Sequence, residues 1–346
     1  MSHLFPELKD QRILIAPLNW GLGHATRSLP LIQYYAEHNH IEVCSDGLAL
    51  DWLKRELPAI KMHDLPGYDI IYDKRPSIRT QAVMARKVAK AVAQEYEAAK
   101  DIIQGRRIDV VISDHRLGVR QKGVKSILLA HQLQIPFNSS LWRMSASFLH
   151  KVYINRFDEC WIPDHREEDR RLSGTMSNLA INIPKRYIGP LSRFKEGHDE
   201  SPDVDILVIL SGVEPDRTRL EERLLRWLRD MTSYNAVIIR GTHRPKPSSY
   251  IEDHDRVTMI DLADTEELQS LLRRSKLIVA RSGYSTLMDL QVVKKPAIFI
   301  PSQHQAEQLY LGRRADENPS YTCIHEHELS QKKLFTEVKR LLRPSK

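Results

Sequence analysis

Short, continuous apolar runs alternate along the chain with longer stretches of helical periodicity. The apolar runs cover residues 12–17, 41–45, 109–114 and 126–130 in the first half, and 206–210, 236–240, 257–260, 277–280 and 296–300 in the second. Runs of this kind are typical of parallel strands that are covered on both faces. The helical stretches cover 25–38, 78–104, 218–231, 265–274, 285–292, 305–316 and 329–342. The alternation predicts an α/β protein built from two successive βαβ domains.

A segment rich in proline, glycine and charge, residues 184–205, interrupts this alternation. Such composition marks a boundary between domains. We predict an N-terminal Rossmann-like domain at 1–192, a linker at 193–204, a C-terminal Rossmann-like domain at 205–328, and a terminal helix at 329–346 that packs back toward the first domain. Paired domains of this type bind ligands in the cleft between them, at the carboxyl ends of the strands.

Composition excludes several classes of protein. The 346 residues carry a net charge of +7, but the cations are scattered and aromatic residues are only 7%, so we expect no nucleic-acid role. We expect no membrane-spanning segment, because no apolar run reaches the necessary length, and no signal peptide, because residues 1–12 contain no apolar stretch. Three widely spaced cysteines, Cys44, Cys160 and Cys323, indicate neither a disulfide framework nor a zinc ribbon. A cytoplasmic protein fits these features.

The loop after the first strand reads GLGHATR, with Gly21, Gly23, His24 and Arg27. Glycines at this point let backbone amides approach a ligand, and the following helix N-terminus favours an anion. The loop matches neither the dinucleotide fingerprint nor the P-loop. His24 is a candidate base, or a residue that caps the helix. Asp114 and His115, just after the strand 109–114, are alternative bases at the same edge of the sheet.

The second half repeats the pattern of strand, polar loop and helix. Its candidate ligand-binding residues are Ser211, Gly212, Arg240, Ser282, Gly283, Ser285, Thr286, Asp289, Gln303, Glu307 and Gln308. The amides and hydroxyls of the loop 281–286 suit a diphosphate, and Asp289 suits ribose hydroxyls. The carboxamides and carboxylate of the segment 303–308 suit sugar hydroxyls, which need several directional hydrogen bonds. Arg27 and Arg240 could add positive charge.

Four such loops in two βαβ domains resemble the GT-B glycosyltransferases, and the second half is similar to the MurG-like family 28. The similarity rests on RSGYSTLMDL and, after a spacer, PSQHQAEQLY, and is specific over residues 255–315. It implies that the loop around Gly283 holds the diphosphate of the donor and that Asp289 binds ribose. It further implies that Gln303 and Gln308 contact the donor sugar, and that the backbone from Ile260 to Leu262 holds the uracil. The chain has Asp289 where the family has glutamate, and Leu309 where the family has a second glutamine.

The N-terminal loop is less similar to family 28. Its G-x-G-H-x-x-R form resembles PseG-like UDP-sugar hydrolases, in which the loop histidine is linked to activation of the attacking water. The resemblance therefore implies a similar role for His24.

Together these features predict a UDP-sugar-dependent glycosyltransferase that moves N-acetylglucosamine or a related hexose to an unknown acceptor, with inversion and without metal or other cofactor. Asp203 and Asp205 form a literal D-x-D, but they precede a strand and are expected to belong to the linker. A UDP-sugar hydrolase, a UDP-sugar 2-epimerase and a non-catalytic nucleotide-sugar binder remain alternatives. The apolar stripe at 141–153 could be core, or an interfacial helix that touches a lipid-linked, cell-envelope acceptor at the inner face of the plasma membrane.

Overall fold

The computed structural model describes residues 5–68, 78–134, 150–197, 201–212, 214–242 and 256–342. The chain divides into two compact units, Met1–Arg193 and Phe194–Lys346. Each unit has its own all-parallel sheet and its own flanking helices.

The first unit contains a seven-stranded sheet. Its strands are β1 (Arg12–Pro17), β2 (His40–Ser45), β3 (Lys61–Asp64), β4 (Val110–Asp114), β5 (Lys125–Leu129), β6 (Glu159–Ile162) and β7 (Lys185–Tyr187). Its longer helices are α1 (Gly23–Ala36), α2 (Gly47–Glu56) and α3 (Ile78–Arg106), and two 3-10 turns lie at Glu168–Arg170 and Gly174–Ser177. The strand order is β3-β2-β1-β4-β5-β6-β7.

The direction of strand order reverses between β1 and β4, which lie side by side in the sheet. Parallel sheets bind ligands at the carboxyl ends of strands beside such a switch point. Both strands are buried almost throughout because they are central in the sheet. The core on one face includes Leu14 and Val111 together with Ala99 and Ile103 of α3. The sheet thus presents the end of β1 and the end of β4 as neighbours.

The second unit contains a six-stranded sheet with the same order of winding. Its strands are β8 (Val204–Ile209), β9 (Ala236–Ile239), β10 (Val257–Ile260), β11 (Ser275–Ala280), β12 (Ala297–Phe299) and β13 (Tyr321–Cys323). Its helices are α4 (Asp216–Asp230), α5 (Thr265–Arg274), α6 (Tyr284–Val293), α7 (Ala306–Ala315) and α8 (Gln331–Leu341). The order β10-β9-β8-β11-β12-β13 places the switch point between β8 and β11.

The terminal helix α8 belongs to the core of the second unit. Leu334 and Val338 are buried in a cluster that includes Ile206 and Leu277 from the sheet and Leu224 from α4. Ser330 caps the helix by accepting a hydrogen bond from the amide of Lys333. The alternation of apolar and polar positions in α8 is therefore explained by packing on its own sheet.

The α/β class predicted from the apolar runs is confirmed, and both sheets are parallel. The segment 184–205 differs from the expectation at its start, where Lys185–Tyr187 form β7, the edge strand of the first sheet. Its composition resembles a linker because an edge strand is short and half-exposed and needs no apolar run.

Candidate functional site

The loop after β1 is tied to its neighbours before α1 begins. The Asn19 carboxamide donates to Asp46 at 3.0 Å, and its oxygen accepts from the amide of Ala49 on α2 at 3.2 Å. Gly21 has φ +73°, a left-handed conformation that glycine adopts without strain. The turn lets α1 start at Gly23, with no side-chain cap and no acidic residue in its first turn.

His24 lies in the first turn of α1, beside the end of β4. Its Nδ1 is 3.0 Å from Oδ1 of Asp114, a carboxylate with no exposed surface. The Nδ1 of His115 is 3.3 Å from the same oxygen. His115 has φ +59°, and a left-handed conformation in a residue other than glycine is held in place by its surroundings. The structure thus brings together the three candidate bases, which the sequence left as alternatives.

Arg27, one turn after His24, lies inside this cluster. Its Nε donates to Oδ2 of Asp114 at 2.7 Å, and its Nη2 donates to Oδ1. Its Nη1 is 3.0 Å from Nδ1 of His131, which follows β5. Since only 2% of its surface is exposed, Arg27 pairs with Asp114 rather than pointing freely at a substrate. We call His24, Arg27, Asp114, His115 and His131 the histidine–aspartate cluster.

Burial and charge set the ionisation of this cluster. Burial, reinforced by the charge of Arg27, lowers the pKa of His24 to about 4, against the opposing effect of Asp114. Burial by itself would raise the pKa of Asp114, but Arg27 and the neighbouring imidazoles hold that pKa well below its ordinary value. At neutral pH His24 is therefore uncharged beside a charged carboxylate.

A second buried ion pair supports the loop after β4. Arg116, with no exposed surface, donates from Nε to the carbonyl of Pro17 at 3.1 Å and from Nη1 to Glu95 of α3 at 3.0 Å. Glu95 also accepts from the amide of Gly118 at 2.8 Å. These bonds join the ends of β1 and β4 to the long helix and thereby fix the backbone that carries Asp114.

In the second unit, the loop between β11 and α6 forms the corresponding edge. Gly283 is the N-cap residue of α6, no side chain caps the helix, and its first turn has no acidic residue. Ser285 and Thr286 in that first turn are half-buried, as is Asp289 one turn later. A helix N-terminus of this kind favours an anion. Ser282 differs from its neighbours because it is fully buried and its hydroxyl donates to the carbonyl of Gln308 at 2.7 Å.

The segment between β12 and α7 lies beside this loop. The Oε1 of Gln308 accepts from the amide of Ser302 at 2.9 Å, which fixes the orientation of the side-chain carboxamide. Gly312 of α7 allows a close approach, because a Cβ there would lie 2.8 Å from Sγ of Cys323 and 3.2 Å from the Ser282 hydroxyl. Gln303, in the loop before α7, is exposed, and Glu307 is half-buried on the first turn.

Arg240, after β9, is held by carboxylates. Its guanidinium donates to Glu221 of α4 at 2.7 and 3.0 Å and to Asp261 at 3.1 Å. Only 4% of the residue is exposed, so its charge is already balanced within the unit. Its amide also donates to the carbonyl of Ile260 at 2.8 Å.

The remaining predicted positions lie at the ends of β8 and β10. Ser211 and Gly212 are exposed after β8, and Gly212 has φ +114°. Ile260 ends β10, and Leu262 follows it, half-buried. Residues 141–149 of the apolar stripe at 141–153 lie outside the described residues.

The sequence reading missed three residues at these edges. His131 follows β5 directly, and the rule that carboxyl ends of adjacent parallel strands meet could have found it. Trp20, which is 48% exposed beside the glycine loop, belongs to no periodic pattern of apolar residues, so the sequence did not single it out. Arg281 is buried and donates to the carbonyl of Ile300 at 2.9 Å and to Glu326 at 2.5 Å, so it joins β11, β12 and the loop after β13.

Comparison with known proteins bears on the fold and the enzyme class. Residues 217–346 match the model of the glycosyltransferase family 28 C-terminal domain, and residues 11–139 match a model described as glycosyl transferase family 1. The chain is a glycosyltransferase with the GT-B fold, and its second unit matches the family 28 C-terminal domain. The predicted fold and the predicted enzyme class are thereby confirmed.

Individual relatives of this GT-B glycosyltransferase differ in how much of the chain they match. An uncharacterized glycosyltransferase of Methanopyrus kandleri is 22% identical over 93% of this chain and 92% of its own length. A UDP-N-acetylglucosamine–N-acetylmuramyl-(pentapeptide) pyrophosphoryl-undecaprenol N-acetylglucosamine transferase of Trichodesmium erythraeum is 26% identical over 41% of this chain and 38% of its own length.

Solved structures share the fold at low sequence identity. The glycotransferase of kitacinnamycin superposes with a TM-score of 0.68 at 13% identity, over 97% of this chain and 92% of that one. Acinetobacter baumannii MurG superposes with a TM-score of 0.53 at 12% identity, over 96% of this chain and 91% of that one. Within the described part of this glycosyltransferase, the helices are too short or too polar to span a membrane.

Proposed function

We propose that this glycosyltransferase transfers N-acetylglucosamine or a related hexose from a UDP-sugar to an acceptor hydroxyl, with inversion at the anomeric carbon. The observation that carries the proposal is the pairing of His24 with Asp114 at a sheet edge, 3.0 Å apart, where the sequence had only separate candidates. The uncapped N-terminus of α6 supplies the second half of the chemistry.

His24 is the proposed base. In this proposal the neutral ring carries its proton on Nδ1 and donates it to Asp114, whose carboxylate can only accept, so the nearby Arg27 Nη2 acts on the ring through its charge and not as a donor to Nδ1. The lone pair of Nε2 then takes the proton of the acceptor hydroxyl. The acceptor oxygen then bonds to the anomeric carbon while the bond from that carbon to the diphosphate oxygen breaks, and UDP leaves. The Asp114 carboxylate stabilises the imidazolium formed in this step, as a carboxylate orients and supports a histidine base in other enzymes.

The first turn of α6 is the proposed site for the donor diphosphate. Its amides and the hydroxyls of Ser285 and Thr286 would oppose the negative charge that grows on the leaving group. Ser282 would contribute its backbone, since its hydroxyl is used inside the fold. In this account the leaving group needs no metal ion.

Other contacts of the donor follow from the family resemblance. Asp289 is proposed to bind the ribose, and Gln303 and Gln308 to bind the sugar, with the side-chain amide nitrogen of Gln308 donating. The carboxylate of Glu307 is a further acceptor for sugar hydroxyls. The partial match to transferases that act on an undecaprenol-linked substrate makes a lipid-linked acceptor, met at a membrane surface, the first to test.

A thermal-shift screen with UDP, GDP, TDP and their sugars tests the donor. UDP and UDP-N-acetylglucosamine should stabilise the protein, by ~2.7 kcal/mol at a concentration 100 times Kd. The matched variant Thr286→Val keeps the side-chain volume but loses the hydroxyl, so its shift with UDP should be smaller. Stabilisation by a GDP- or TDP-sugar but not by UDP would overturn the donor assignment.

Product analysis separates transfer from the alternatives. Incubation with UDP-N-acetylglucosamine and lipid-linked acceptors should give UDP and a glycosylated acceptor. UDP with free sugar as the product, whatever acceptor is present, would identify a hydrolase. A new UDP-sugar without UDP would identify an epimerase.

A further inference from the structure

The buried carboxylate of Asp114 needs a positive charge beside it. The side chain has no exposed surface, and an unpaired buried charge costs several kcal/mol. In a pair made only of Asp114 and His24, the imidazole would have to supply that charge by holding a proton. A protonated imidazole has no lone pair with which to accept a proton from an acceptor hydroxyl.

Arg27 supplies the charge instead. Its Nε and Nη2 donate to the two oxygens of Asp114, a bidentate pairing in which both oxygens are satisfied by one guanidinium. Guanidinium stays protonated across the pH range of enzymes. Arg27 and His24 lie three residues apart in α1, so both side chains project from the same face of the helix.

The position of this guanidinium is central in the histidine–aspartate cluster. His24, Asp114 and His115 each contribute one nitrogen or oxygen atom that could ligate a metal, and these three atoms lie within 4.8 Å of one another. In other proteins, groupings of this kind surround a metal ion. Nη2 of Arg27 lies among them, 2.6 Å from Nδ1 of His24 and 3.3 Å from Nδ1 of His115, besides its bond to Asp114. The place of a cation in this grouping is thus taken by a side chain of the protein.

We propose that Arg27 is a positioning residue that serves as the resident cation of the site, balancing Asp114 so that His24 stays uncharged and able to accept a proton. This inference deepens the proposed function and rests on it. It also changes the role expected for Arg27 from substrate binding to control of the base.

The surroundings of His24 lower the pKa of its ring in spite of the opposing effect of Asp114. Burial and Arg27 lower the pKa of His24 to about 4, while Asp114 raises it. His115, after β4, lowers it further, and His131, after β5, faces the guanidinium. His150, in the helical turn at 150–154, adds no charge at neutral pH, because burial and His115 lower its own pKa to about 4.

Loss of Arg27 reverses this balance. Asp114 would then be left with only the imidazoles of His24 and His115 beside it, so the pKa of His24 would rise. A base works only in its neutral form. The wild-type rate should therefore fall on the acid side only near pH 4, whereas the rate of an Arg27 variant should already fall at a pH at least one unit higher.

Nitrogen-15 NMR of histidine-labelled protein tests this without any enzyme assay. The His24 signals are assigned by their loss in His24→Gln. In the wild type, the His24 signals should remain those of a neutral ring from pH 8 down to pH 5. In Arg27→Met, they should change to those of a protonated ring at a higher pH than in the wild type. A wild-type His24 that titrates at or above the ordinary pKa of ~6.5 would overturn the proposal, even if no Arg27 variant folds.

The pH profile of UDP release tests the same point through activity. Arg27→Met should shift the acid limb upward by at least one unit, a ~10-fold loss on that limb, with the KM for the donor unchanged. In Arg27→Lys, the acid limb of the rate profile should lie close to its wild-type pH. In Arg27→Met, guanidinium chloride added at low millimolar concentration should move the acid limb part of the way back to its wild-type position.

The matched control is Arg106→Met, which also removes a guanidinium from a buried carboxylate of the first unit, Glu42, but does not touch His24 or Asp114. It should lower the melting temperature and leave the acid limb in place. A wild-type acid limb in Arg27→Met would overturn the role of Arg27. If the wild type releases UDP from none of the donors, the proposed function fails, and the NMR titration still decides whether Arg27 keeps His24 neutral.

Discussion

The two sheets carry different chemical groups at the edges where their switch points lie. In the first unit the edge consists of ionisable side chains that pair with one another, with Asp114 and Arg27 almost wholly buried. In the second unit an ion pair of the buried Arg281 with Glu326 also lies at this edge, and beside it are a helix start without a side-chain cap, half-buried hydroxyls and a carboxamide. The first arrangement suits the transfer of a proton, which needs a fixed electrostatic environment. The second suits a diphosphate, which needs several donors and room for its oxygens.

Replacing the proposed base, His24, is the strongest test of this division of roles between the two sheet edges. His24→Gln keeps a polar side chain but cannot accept a proton, so turnover should fall ~10²–10⁴-fold. Donor affinity, measured as the thermal shift with UDP, should not change, because the diphosphate donors belong to the other unit. A variant that loses UDP binding instead would show that the first edge takes part in holding the donor.

A glycine pair tests the second edge with a smaller effect. Gly283→Ala should fold normally, because its φ is −74° and the nearest atom to a new Cβ, the Thr286 hydroxyl, lies 3.7 Å away. The methyl group would instead occupy the space in front of the α6 amides and weaken UDP binding ~10-fold, about 1.4 kcal/mol.

Gly241→Ala is the matched control for that substitution. Gly241 has φ +67°, and a Cβ there would lie 2.4 Å from the carbonyl of Leu210. The change should lower the free energy of unfolding by ~1–3 kcal/mol without a selective loss of UDP affinity. Equal UDP affinity in Gly283→Ala and the wild type would remove the α6 start from the donor site.

The smallest effect on turnover is expected at a second cluster of similar composition. Glu42, in the middle of β2, is buried and bonded to Arg106, His63 and His40. Burial raises the pKa of Glu42, but Arg106 and the histidines outweigh it and lower the pKa to about 2. The stability that this carboxylate contributes is therefore present above its usual pKa and is lost as pH falls from about 4.5 toward 2.

Glu42→Gln should cost ~2 kcal/mol at neutral pH and flatten the acid side of the stability curve. Thermal melts from pH 2 to 7 measure this, and turnover should be unchanged. A large loss of turnover would mean that the position of a cluster, at a switch point or away from it, does not decide its function.

Most of the fold could be predicted because central parallel strands produce continuous apolar runs in the sequence. The runs that became β1, β4, β8 and β11 have continuous apolar centres, at 13–16, 110–112, 206–210 and 277–280, since both of their faces are covered. The strands β3, β6, β7 and β13 were missed because they are only three or four residues long and lie at or next to a sheet edge, and β3 and β7 consist mainly of polar residues. An edge strand pairs through its backbone, which leaves little trace in the pattern of side chains.

The candidate site was predictable to different depths in the two units. The loop at Gly283 could be predicted as a diphosphate site because backbone binding requires a glycine and small hydroxyl residues at fixed spacing, and that spacing is visible in the sequence; its role stays a prediction. The roles of Arg27 and Arg240 were not, since a lone arginine looks the same whether it faces a ligand or a buried carboxylate. Only the fold shows that Arg27 forms an ion pair with Asp114 and that Arg240 forms one with Glu221.

The packing of Gly312 against Cys323 offers an experimental handle. Cys44 and Cys160 are buried, whereas Cys323 is partly accessible, and its sulfur lies next to the turn that carries Ser282. A thiol-reactive fluorophore would therefore label one position in the whole chain, beside the loop assigned to the nucleotide. Because burial raises the pKa of the Cys323 thiol to about 11, the labelling reaction will need alkaline buffer.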